Sequence, residues 1–135
     1  MFMKFQNFVF NEDLIAVDID GSYLDLHNNY KFISVIRKSN EVELHWSKLV
    51  GDWVESELPE SITFKILDVK YFDIRGSVES GSSLEEVGFF LDFSLGKVEF
   101  NGSNKPYSDA NVLVFRFIGG AEVAIIGSSI KCLIC

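Results

Sequence analysis

Three polar dipeptides, Gly21-Ser22, Asn28-Asn29 and Ser39-Asn40, cut residues 14 to 48 into segments whose apolar residues alternate. A period of two marks strands with one buried face, and two-residue loops fix which residues stand opposite one another. The spacing predicts a four-stranded antiparallel meander. With Gly21-Ser22 as the loop, Asp20 faces Tyr23, Ile19 faces Leu24, Asp18 faces Asp25 and Val17 faces Leu26. Through Asn28-Asn29, Leu24 meets Ile33. Through Ser39-Asn40, Val35 meets Leu44, Ile33 meets Trp46 and Lys38 meets Glu41. Val17, Ile19, Leu24, Leu26, Ile33, Val35, Val42, Leu44 and Trp46 then share the face expected to be core. A slip of one residue at any turn would exchange the two faces.

The opposite face by this register carries Tyr23, Tyr30, Phe32 and Ile36 among Asp18, Asp25, Glu41, Glu43, His27 and His45. Aromatic anchors surrounded by carboxylates suit a basic protein surface, the rings supplying contact area and the charges steering encounter. Asp18, Tyr23, Asp25, Tyr30, Phe32 and Glu43 are therefore the candidate partner-binding residues. The plain alternative is a face covered by later strands or by the segment that follows.

From Leu49 to Ser61 the alternation stops and acidic residues collect around Pro59, which predicts a long connection. ITFKILDVKYFDIRG (62 to 76) is rich in β-branched and aromatic residues and reads as one bent strand or two short ones. Ser82-Ser83-Leu84-Glu85-Glu86 holds Ser-x-x-Glu twice, a capping pattern that predicts one short helical turn. Strands are expected over 88 to 95 and 97 to 100, with a polar loop over 101 to 110. VLVFRFI (112 to 118) and EVAII (122 to 126) form a hairpin across Gly119-Gly120, and Ile130 to Ile134 adds a last strand. Apolar residues on both faces of these late strands fit the middle of a layered structure. About nine strands at short spacing predict one all-β domain over residues 1–135, an antiparallel β-sandwich or small open barrel.

VDIDGS (17 to 22) is close to the D-x-D-G-T motif of aspartyl-phosphate phosphatases. That chemistry needs a parallel sheet with crossover helices to hold the nucleophile, whereas hairpins follow here at once. Read as an EF-hand loop, the segment places Ala16 first and His27 twelfth, where carboxylates are required. Asp18 opposite Asp25, with Asp20 beside them, could attract a cation, but carboxylates on the wet face of a sheet are ordinary. Cys132-x-x-Cys135 with His27 and His45 matches a zinc site in number only, because the histidines stand in separate strands and residues three apart on a strand point to opposite faces. No metal, cofactor or catalytic residue is assigned. His27 and His45 alternate with acids on the polar side, as surface histidines do.

A chain of 135 residues, 47% hydrophobic with 13 Phe, can bury about two-thirds of its unfolded surface without disulfides or metals. Its charge of -8 repels phosphate backbones and anionic membranes. Neither nucleic acid nor membrane is an expected partner. No segment has the uninterrupted apolar length of a signal peptide or a span, so a cytoplasmic protein is expected. The oligomeric state is left open.

The succession ITFKILDVKYFDIRG, SLEEVGFF and VFRFIGGAEVAIIGSSIKC, over roughly residues 62 to 132, resembles small bacterial all-β domains of unknown function, some similar to immunity proteins paired with secreted toxins. The resemblance implies a non-enzymatic role and carries no catalytic residues. The expectation is a protein-interaction domain, an immunity-type inhibitor of a basic protein. The alternative is a small-ligand-binding barrel or sandwich with Phe side chains lining a cavity.

Overall fold

The computed structural model describes residues 3–91, 99–103 and 112–135. The chain is all-β, with no helix among the described residues. Its strands are β1 (Lys4–Phe5), β2 (Val9–Phe10), β3 (Ala16–Ile19), β4 (Ser22–Asp25), β5 (Tyr30–Lys38), β6 (Glu41–Lys48), β7 (Ser61–Leu67), β8 (Tyr71–Arg75), β9 (Leu84–Leu91), β10 (Glu99–Ser103), β11 (Val112–Phe117), β12 (Glu122–Ile126) and β13 (Ser129–Ile134). They form three open sheets: β1-β13-β7-β6-β5, β10-β9-β11-β12-β8 and β2-β3-β4. This is more strands and one more sheet than the expected nine in two layers or a barrel. Residues 92–95 and 97–98 of the expected strands, and 104–110 of the expected polar loop, lie outside the described residues.

Alternation decides the first sheet. Val42, Leu44 and Trp46 of β6 stand opposite Ile66, Phe64 and Ile62 of β7, and all six are buried. Ile130 and Cys132 of β13 continue the rows beside Ile66 and Phe64. In the second sheet Leu113, Phe115 and Phe117 of β11 turn to the same core, while Val112 and Val114 bury on the other face with Ala124. The double-faced apolar pattern of the late strands is thus accounted for. One row of charges crosses that outer face: Arg116, opposite Glu86 on one side and Glu122 on the other, binds both carboxylates, at 2.7 and 3.1 Å. The pairing also explains why no helical turn forms over 82–86. Leu84 and Glu86 are already strand residues, each with a partner on β11, and sheet pairing overrides the local capping pattern.

The meander of residues 14 to 48 is corrected at three points. The first hairpin turns at Asp20-Gly21, not Gly21-Ser22, so Val17 pairs with Leu24 and Asp18 with Tyr23. Asp20 and Gly21 both take positive φ, 49° and 78°, the conformation that suits the twist of a two-residue hairpin. The shift from the expected register is two residues, so the faces survive, and Val17, Ile19, Leu24 and Leu26 are all buried. Next, β4 does not pair with β5. The Asp25 carboxylate accepts from His27 N, Asn28 N and Asn28 Nδ2 at 2.9, 2.8 and 2.7 Å, closing a local turn that sends the chain to another sheet. Finally, a bulge interrupts β5: Ser34, Val35 and Lys38 keep the expected partners His45, Leu44 and Glu41, but Phe32 faces Trp46. The extra residue is Ile33, and it reverses the faces of everything before it. Tyr30 and Phe32, expected outside, are fully buried.

Two outcomes follow. Phe32→Ala should cost about 3–5 kcal/mol of unfolding free energy and Ile33→Ala under half of that, read by urea denaturation; a larger loss for Ile33→Ala would restore the unbulged register. Burial pushes the Cys132 thiol up to about 12, and burial followed by the Glu60 charge pushes the Tyr30 hydroxyl up to about 12. Both groups are neutral when protonated, and the unfolded chain ionises first. Their stabilisation is therefore complete below about pH 8.5 and declines as pH rises towards 12. The urea midpoint should fall between pH 8 and pH 11, and Cys132→Ala should flatten that fall.

Candidate functional site

Residues 49–60 connect β6 to β7, and their backbone is tied at both ends. Lys48 N donates to Glu60 O at 2.9 Å, Leu49 N to Asn29 O at 2.9 Å and the Tyr30 hydroxyl to Pro59 O at 2.8 Å. Leu58 packs against the main core. Lys48, whose side chain is only 12% exposed, turns its ammonium inward to Ser56 O and Leu58 O and pairs with Glu60 at 2.9 Å. A connection fastened in this way is a rigid platform rather than a free linker.

On that platform two large apolar side chains face water: Val50 is 97% exposed and Trp53 64% exposed. The Trp53 indole is gripped on two sides. Its Nε1–H donates to Asn28 O at 3.2 Å. Gly51 lies against one face of the six-membered ring, where an added Cβ would come within 2.1 to 2.5 Å of Cζ3, Cη2 and Cε3. A Cβ there would force the indole out of this position. Asp52, Glu55, Glu57 and Glu60 of the same loop are exposed, and residues 49–60 contain neither Lys nor Arg. The result is an ordered aromatic surface in a field of negative charge. Asp25 belongs to the same construction, since the turn it closes contains the Asn28 carbonyl that holds the indole.

The expected site residues disperse. Asp18 and Tyr23 are direct partners on the outer side of β3–β4, with Val9 beside Asp18. Asn11 Nδ2 donates to Asp18 at 2.9 Å, and the exposed Tyr23 donates its hydroxyl to Asp13. The Asp13 hydrogen bond, with partial burial and the charges of Asp13, Asp25 and Asp18, holds the Tyr23 hydroxyl protonated well above its usual range. Asp25 is 8% exposed, its oxygens engaged in the turn, and it faces Ala16 rather than Asp18. The expected cross-strand pair of Asp18 with Asp25 does not form. Tyr30 and Phe32 are core residues and cannot meet a partner. Glu43 lies elsewhere, on the outer face of the first sheet, 3.4 Å from Lys38 and 3.2 Å from His45.

His45 also stands 3.2 Å from the Thr63 hydroxyl, giving a hydroxyl–imidazole–carboxylate row. It lies on the flat of the sheet, where β7 is flanked by β13 and β6 and its backbone N–H groups are committed to the ladder. His27 Nδ1 is held by Leu84 O. Cys132 is buried and Cys135 exposed, and among the described residues no group of three or more His, Cys, Asp or Glu is placed to hold a metal ion.

Comparison of the chain with known protein families, with curated proteins and with solved structures finds no match. Trp53 was missed by pattern reasoning because it lies where alternation stops. Its signal is compositional: a tryptophan two residues after a glycine, in a stretch with four carboxylates and no cation.

The two tryptophans are separable, Trp46 being 1% exposed. Measured against free N-acetyl-tryptophanamide, caesium should quench the accessible emission more steeply than iodide, and Trp53→Phe should remove the accessible fraction. Stronger quenching by iodide would show that the loop carries no negative potential.

Proposed function

We propose that this chain is a non-enzymatic protein-interaction domain that meets a basic protein on the Val50–Trp53 loop, acting as an immunity-type inhibitor in the cytoplasm. Trp53 carries the reading. A large side chain held in place by Asn28 and Gly51, yet open to water, loses little conformational freedom on binding. Tryptophan is also the residue most enriched among binding hot spots. The loop carboxylates and the charge of -8 would steer a basic partner and reject acidic ones. Asp18 and Tyr23 offer a second acidic, aromatic patch on the sandwich-like scaffold.

The packing of the Phe side chains disfavours the small-ligand alternative. Phe8, Phe10 and Phe64 stand within 5.1 to 5.6 Å of one another, and Phe64 and Phe115 within 5.6 Å. At these separations they fill a core. No described helix is long and apolar enough to cross a membrane.

The immobilised chain should capture proteins of high isoelectric point that elute as salt rises. Trp53→Ala should weaken the capture by about 2 kcal/mol, some 30-fold. Capture of acidic proteins, or capture indifferent to both salt and Trp53, would overturn the proposal.

A further inference from the structure

We infer that the contact at the centre of this surface is an arginine side chain of the partner, its guanidinium stacked on Trp53 with its N–H edges turned to the loop carboxylates. The inference rests on the basic-partner reading and names the group that the loop recognises. The indole N–H is already engaged by Asn28 O at 3.2 Å, so Trp53 has no donor to offer. Gly51 covers one face of the six-membered ring. With Trp53 64% exposed, it is the opposite face that presents π surface to the solvent. Such a surface is negative at its face and attracts cations.

No cation of the loop itself answers that attraction. The adjacent Lys48 is engaged by Ser56 O, Leu58 O and Glu60. Asp52 and Glu55, on either side of Trp53 in the chain, are exposed. Guanidinium suits this arrangement better than ammonium. It is planar, so it can stack, and less strongly hydrated, so it desolvates more readily. It also keeps edge N–H groups free for carboxylates while its face rests on the ring. A guanidinium lies over an aromatic ring elsewhere in the chain, Arg37 being 5.5 Å from the centre of the Phe72 ring.

The test uses fluorescently labelled octa-arginine and octa-lysine peptides, equal in charge, titrated by anisotropy against the full chain at low salt. The arginine peptide should bind about threefold more tightly. Trp53→Leu should abolish that preference while leaving salt-dependent binding of both peptides, and Trp53→Tyr should retain part of it. Emission from buried Trp46 reports that each variant is folded. Equal affinities in the native chain, or a preference that survives Trp53→Leu, would overturn the stacking contact and leave the basic-partner reading standing. If neither peptide binds, both readings fall.

Discussion

Three rings, one from each sheet, meet where the three sheets come together: Phe10 of β2, Phe64 of β7 and Phe115 of β11, with centroids 5.6 to 6.1 Å apart. A two-residue strand such as β2 gains little from its own ladder, so this contact, extended by Phe5 and Phe8, docks the smallest sheet onto the others. Nearer β5, Trp46 stacks on Phe117 and Phe32 packs edge-on to both. The aromatic core runs from the N-terminal strands to the β5 edge, and the loop that carries Trp53 is tied to its rim through Tyr30 and Leu58. Rigidity at the surface is inherited from the interior.

The distribution of charge follows from what the sheets consume. Arg116 lies between Glu86 and Glu122, Lys65 beside Glu41, Lys38 beside Glu43 and Arg75 beside Asp73. Cations are thus drawn onto the broad faces, where opposite charges across strands are mildly favourable. The segment from Asn11 to Asp25 and the 49–60 loop contain acids and no Lys or Arg. An excess that looks uniform in composition is concentrated on two stretches of the chain, the β3–β4 hairpin with its approach and the connection from β6 to β7.

Much of this could be read from the chain. The alternation of β6 and β7, the hairpin at Gly119-Gly120 and the final strand are where the pattern places them, because each has one buried face and an unambiguous turn. The side that Val17, Ile19, Leu24 and Leu26 present was legible even though the turn was misplaced, since a two-residue shift preserves parity. Three features escaped. Asp25 acts through its carboxylate, and periodicity cannot see a side chain that replaces a strand pairing. The cross-strand contacts of Arg116 hold Glu86 in a strand from thirty residues away. The bulge at Ile33 leaves no mark in a segment where either phase offers plausible apolar residues.

That bulge gives β5 an unusual relation to change in length. Tyr30 and Phe32 point inward before it and Val35 packs against the core beyond it, so the two halves are out of step by the single residue between them. Removing Ile33, as opposed to replacing it, would restore strict alternation with every inward side chain still inward. At this position the backbone could tolerate a deletion that would invert a face almost anywhere else in the sheet.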